Sequence, residues 1–168
     1  MSHARFVSIV IPVFNEDKNL EELIKRCLKV CRNLDNPFEL ILVDDGSMDN
    51  SQKLITEAVE KNYKEIVGVF LNRNYGQHAA IMAGFAQLKG DICVTLDADL
   101  QNPPEEIPKL VKKVEEGFDV VGCVRMPRSD SLFRRFASKI INKFIWISMN
   151  TNPVSIYKHF CGVFYFLW

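Results

Sequence analysis

FVSIVIPV, residues 6–13, is the stretch on which the fold turns. It is rich in β-branched side chains and shows no polar face, so it reads as a strand buried on both sides. A break at Phe14, Asn15 and Glu16 follows at once. Residues 17–32 then place Leu20, Leu23, Ile24, Cys27, Leu28 and Cys31 at helical spacing, an apolar stripe for one face of a helix. The couplet recurs down the chain. Strands are expected at 38–43, 66–71, 91–96 and 119–124, and helices at 51–60, 77–88, about 103–116 and about 131–149. Asp49 or Asn50 is available to cap the second helix. Pro103 and Pro104 suit a first helical turn, and Gly117 suits its far end. Strand and helix in turn, with strands that read as unbroken apolar runs, predict an α/β domain with a mostly parallel sheet covered by helices on both faces.

The composition agrees with one such domain. The chain has 168 residues, 48% hydrophobic and 25% charged, and 21 Lys plus Arg balance 21 Asp plus Glu. A zero net charge argues against a nucleic-acid binder, which carries a basic excess. No run approaches the roughly 18 apolar residues of a membrane-spanning helix. The first residues lack a signal-peptide pattern, so the expected location is cytoplasmic. Five cysteines form no CxxC pair and read as small apolar side chains. The pattern changes after Asn150: residues 151–168 end in FCGVFYFLW without a charge, fitting neither a capped helix nor a regular strand. The expected division is a domain over 1–150 and a divergent apolar tail over 151–168.

Ligands of open α/β sheets bind beyond the carboxyl ends of the strands, and here those ends are acidic. The first strand runs into Asn15 and Glu16, the second into Asp44 and Asp45, the fourth into Asp97, Ala98 and Asp99. Three acidic strand ends on one edge repel one another unless something positive sits among them. A hard cation, Mg²⁺ or Mn²⁺, meets that need and is characteristically held by one or two carboxylates together with substrate phosphates. Neither GxGxxG nor GxxxxGK[ST] is present, which argues against a nicotinamide dehydrogenase or a P-loop nucleotidase. Between residues 125 and 143 the basic residues Arg125, Arg128, Arg134, Arg135, Lys139 and Lys143 face only Asp130. They form either a solvated face or a site for phosphate or acidic lipid.

VSIVIPVFNE (7–16), ILVDDGSMDNS (41–51), LNRNYGQHAAIMAG (71–84) and TLDADLQNPPEEIP (95–108) together resemble the inverting family-two glycosyltransferases of GT-A fold. Within them the chain is similar to the polyprenyl-phosphate glycosyltransferases, a group that includes dolichyl-phosphate mannose synthases, and in particular to those of lipid A and lipopolysaccharide modification. The resemblance covers roughly residues 7–143. It implies a UDP-sugar donor carrying 4-deoxy-4-formamido-L-arabinose and an undecaprenyl phosphate acceptor at the cytoplasmic face of the inner membrane. It also implies nucleotide contacts from Pro12, Asn15, Glu16, Asp44, Asp45, Asp97 and Ala98, and a metal site at Asp97, Asp99 and Gln101. Asp97, Asp99 and Arg125 would be catalytic, with Arg134 and Ser138 on the acceptor phosphate. Asp44 suits a base N–H, but guanine presents ring donors as well as uracil, so GDP-mannose stays open beside UDP. The tail does not resemble the family's next strand, so the resemblance implies a GT-A domain incomplete at its C-terminal side and weakly active; the five aromatics Phe160, Phe164, Tyr165, Phe166 and Trp168 predict self-association through the tail. A non-catalytic nucleotide-binding remnant is the reading of a different class; product formation on a lipid phosphate separates the two.

Overall fold

The computed structural model describes residues 4–62, 64–123 and 155–157. In chain order these form β1 (Val7–Val13), α1 (Asp17–Cys31), β2 (Phe38–Asp44), α2 (Ser51–Lys61), β3 (Ile66–Phe70), α3 (Gln77–Phe85), β4 (Ile92–Thr95), α4 (Ile107–Glu115), β5 (Val121–Cys123) and β6 (Ser155–Tyr157). Four strands make one sheet in the order β3-β2-β1-β4, every pairing parallel. The helix expected at 131–149 lies outside the described residues.

Strand alternation sends successive side chains to opposite faces, and each face has its own core. Ile9, Ile11, Val13, Leu40, Leu42, Ile66 and Val94 pack with Leu20, Leu23 and Leu28 of α1, Ile55 of α2 and Leu110 and Val114 of α4. Val10, Ile41, Val43 and Cys93 face the other way and meet Ala80 and Phe85 of α3. Helices therefore cover both faces of a parallel sheet, as the sequence pattern predicts. α3 lies close on its face because Gly84 carries no side chain: a Cβ there would sit 2.4 Å from Val10 Cγ1. Cys27, Cys31 and Cys93 are buried and unpaired. Burial raises the Cys27 thiol and pushes Cys31 and Cys93 up to about 12, so all three stay protonated core side chains.

Two elements differ from expectation. The helix expected from residue 103 begins as a 3-10 turn, Pro104–Glu106, and becomes α-helical only at Ile107. The third proline, Pro108, explains this: without an N–H it fits a first α-helical turn and not a second. Arg26 of α1 fastens the 3-10 turn through a fork to both oxygens of Glu105, at 2.9 and 2.5 Å. The second difference is β6, which pairs in parallel with β5 within the stretch expected to hold no strand; three residues are too few to show a period.

Gly84→Val should lower stability by about 2–3 kcal/mol, the usual cost of overpacking a core. Urea unfolding of the variant checks this, and an unchanged midpoint would mean that α3 does not press on β1.

Candidate functional site

Register decides which strand ends meet. β1 pairs residue for residue with β2 up to Val13 opposite Asp44. With β4 it pairs up to Val10 opposite Thr95, and Leu96 N–H continues the ladder to the Val10 carbonyl at 3.0 Å. The chain after β1, β2 and β4 therefore emerges along one edge. There it lines a cleft of ≈ 370 Å³ with Pro12, Phe14, Glu16, Asp45, Asn74, Gly76, Gln77, Asp97, Ala98 and Asp99 among its walls.

Of the residues singled out in the sequence, Pro12, Glu16, Asp45, Asp97, Ala98 and Asp99 share this cleft. Asp44 and Asp45 part company because consecutive strand residues point to opposite faces. Asp44 is 1% exposed and meets only the Ser47 N–H, at 3.3–3.4 Å. Asp45, also buried, accepts the Tyr75 N–H at 2.8 Å and the Gly76 N–H at 2.9 Å, one on each oxygen. It is thus a clamp on the loop between β3 and α3 as well as a wall of the cleft. Asn15 ties the end of β1 to the turn after β2. Its N–H donates to Ser47 Oγ at 3.0 Å and its Oδ1 accepts the Met48 N–H at 2.8 Å. Asn15 holds a φ of 55° to do so, a conformation asparagine tolerates better than most residues. Gly46, with φ 71°, lies against the Arg73 backbone where a Cβ would be only 2.4 Å away, so no other residue fits there without displacing that loop.

The same turn is anchored by Asp49, whose carboxylate accepts the Asp17 N–H at 3.0 Å and the Ser51 N–H at 2.9 Å. Asp49 therefore serves the starts of both α1 and α2. Partial burial pushes its pKa up, but the hydrogen bonds from Ser51 and Asp17 outweigh that and hold it below the ordinary value.

Asp97 is gripped by two amides, Gln77 Nε2 on Oδ1 at 2.8 Å and Asn102 Nδ2 on Oδ2 at 3.3 Å. Asp99 Oδ1 accepts the Gln101 N–H at 3.0 Å, closing a tight turn in which Leu100 takes a φ of 57°. No three His, Cys, Asp or Glu side chains gather around a common point for a metal among the described residues. Two carboxylates with an amide oxygen nonetheless suit a hard cation that fills its remaining positions with water or phosphate. Arg125, Arg134 and Ser138 lie outside the described residues. The sequence reading gave no role to Asn74, Gly76, Gln77 or Asn102. A signal was present, since Gly76 closes the loop after β3 and Gln77 opens α3, on the same edge as the other strand ends.

A parallel sheet with an acidic cleft beyond its carboxyl edge, helices on both faces and a DxD turn after β4 defines the GT-A class of nucleotide-sugar transferases. Residues 8–166 match the glycosyl transferase family 2 model, and the chain belongs to that family. Undecaprenyl-phosphate 4-deoxy-4-formamido-L-arabinose transferase of Pectobacterium carotovorum is 61% identical over 139 residues, covering 83% of this chain and 42% of that protein. The chain thus spans about two fifths of the length of the curated relatives it matches. Among solved structures, a mannosyltransferase from Pyrobaculum calidifontis in complex with GDP-Man and Mn²⁺ is 24% identical, with a TM-score of 0.62 over 76% of this chain and 38% of that one. Glucosyl-3-phosphoglycerate synthase from Mycobacterium tuberculosis, in complex with Mn²⁺, UDP and glucosyl-3-phosphoglycerate, is 25% identical, with a TM-score of 0.55 over 71% of this chain and 43% of that one.

Asp45→Asn should leave one of the two loop N–H groups facing an amide donor, costing about 1–3 kcal/mol. Amide hydrogen exchange should then speed up at Tyr75 and Gly76, while exchange in the strands of the sheet stays slow. A second expectation concerns pH. Asp49 and Glu105 are held below their ordinary values of 3.8 and 4.5, Glu105 chiefly by the Arg26 hydrogen bond. A depressed carboxyl contributes stability that is complete above its unfolded pKa and is lost as pH falls through the folded one. The urea midpoint should therefore decline below pH 4.5, and the gap between wild type and Glu105→Gln should narrow over the same range. A gap independent of pH would remove the role given to the Arg26–Glu105 pair.

Proposed function

We propose that the chain is the donor-binding part of an inverting glycosyltransferase that moves 4-deoxy-4-formamido-L-arabinose from UDP to undecaprenyl phosphate. The observation that carries this reading is the charge of the cleft. Glu16, Asp45, Asp97 and Asp99 line it, and its lining contains no Lys or Arg among the described residues. A cleft so acidic accepts a diphosphate only if positive charge enters with it, and a divalent cation at Asp97, Asp99 and Gln101 supplies that charge. Such an ion offsets the charge building on the departing nucleoside diphosphate. The identity to the Pectobacterium transferase supports the choice of sugar and acceptor, and the Mn²⁺ and UDP of the mycobacterial neighbour support the metal and the base.

Pro12, Asn15, Glu16, Asp44, Asp45 and Ala98 are assigned to the nucleotide end of the site. Phe14, 43% exposed in the cleft wall, offers a flat apolar face to the base. Arg125 is assigned to the donor phosphate or sugar, and Arg134 and Ser138 to the acceptor phosphate, as charge-assisted contacts. The acceptor needs no general base, because a phosphate monoester with a second pKa near 6 is already largely dianionic at neutral pH. The protein's task is to bring two anions together and hold them in line. We place the domain at residues 1–150 and an apolar tail at 151–168. The work is assigned to the cytoplasmic side of a membrane, with the tail a route to self-association. No helix among the described residues is long and apolar enough to cross a membrane.

Calorimetric titration with UDP and with GDP, each with and without Mn²⁺, tests the reading. UDP should bind more tightly than GDP and lose most of its affinity with a chelator, and Asp99→Asn should abolish most of the metal effect. UDP affinity indifferent to metal in the wild-type chain would sink the proposed role of the Asp97–Gln101 turn.

A further inference from the structure

Gln77 begins α3 immediately after Gly76, and its side chain reaches the end of β4 to donate to Asp97 Oδ1 at 2.8 Å. The two residues before it, Tyr75 and Gly76, are the pair whose N–H groups Asp45 holds. A carboxylate at the end of β2 thus fixes the peptide that carries Gln77, and Gln77 fixes a carboxylate at the end of β4. β2 and β4 are not neighbours, since β1 lies between them in the sheet. No ladder hydrogen bond joins these two acids, and the Asp45–loop–Gln77–Asp97 relay crosses over β1 to do so.

We propose that Gln77 is a positioning residue that sets the Asp97 carboxylate for the divalent cation and links the metal end of the cleft to the loop held by Asp45. The inference rests on the metal and UDP reading above. Gln77 makes the shorter of the two amide contacts on Asp97, on Oδ1, while Asn102 holds Oδ2, so the plane of the carboxylate is set beside its neighbour Asp99. An amide donor does this without adding charge, so it orients Asp97 and does not compete with the cation. A lysine or arginine in its place would hold the same oxygen but set a positive charge beside the metal. Gln77 is exposed and lines the cleft, so its side chain is not needed to fill the core.

The test uses the full chain and two variants. Gln77→Leu keeps the bulk and removes the donor, and Gln77→Asn keeps the donor but shortens its reach by one methylene. Mn²⁺ affinity of the UDP-loaded protein, read from the electron paramagnetic resonance signal of free Mn²⁺, should fall about 10-fold in both, the scale of loss when a partner of a metal ligand is removed. UDP affinity measured without metal should stay at the wild-type value, and so should the thermal midpoint. Equal loss of UDP affinity with and without Mn²⁺ would make Gln77 a nucleotide contact and overturn the proposal, as would unchanged Mn²⁺ affinity in both variants. A wild-type chain whose UDP binding ignores Mn²⁺ would fail the metal reading itself, and this inference with it.

Discussion

Parallel hydrogen bonding of β1 to both of its neighbours is the constraint from which the site follows. A central strand shared by β2 and β4 puts three carboxyl ends on one edge, with β1 and β2 leaving the sheet level at Val13 and Asp44 and β4 leaving it earlier, opposite Val10. Every acid of the cleft is then a consequence of where a strand stops. Had either partner run antiparallel, its acidic end would have emerged on the far side of the sheet. The buried apolar faces enforce the register, because a slip of one residue would turn Val10 and Ile41 into the α1 core and Ile9 and Ile11 towards α3.

The placement of these acids was legible in the sequence because it depends only on strand boundaries, which apolar runs mark clearly. What each acid does was less legible. Asp44 and Asp45 are adjacent in one motif and look equivalent, yet alternation separates them: one is buried against Ser47 and the other clamps Tyr75 and Gly76. That distinction needs the partner loop, which lies 30 residues away and carries no periodic signal of its own. The amides of Gln77 and Asn102 were missed for a related reason: a neutral side chain outside any apolar pattern acquires meaning only from what it touches. The start of α4 was misplaced by four residues because three prolines, Pro103, Pro104 and Pro108, offered more than one possible first turn.

The acidic edge is steadied by hydrogen-bond donors from several parts of the described chain. Asp45 takes two backbone N–H groups, Asp49 two more, Asp99 one, and Asp97 two side-chain amides. No buried side-chain nitrogen or oxygen among the described residues lacks a partner. Among the described residues the lining of the cleft holds no Lys or Arg, and ion pairs such as Arg26–Glu105 and Arg32–Glu65 lie on the flanks. Dipolar donors stabilise each carboxylate locally while leaving the net charge of the cleft negative.

This arrangement has a consequence for binding order. On the proposed reading, a cleft lined by acids and neutral donors favours a nucleotide diphosphate that brings a cation with it. Had Arg or Lys stood in place of Gln77, the fold would have gained the same anchor and set a positive charge in the cleft. Amide and backbone donors therefore do more than keep the strand ends in place. They also leave the described lining of the cleft without a lysine or arginine, where on the proposed reading a cation would arrive with the donor diphosphate.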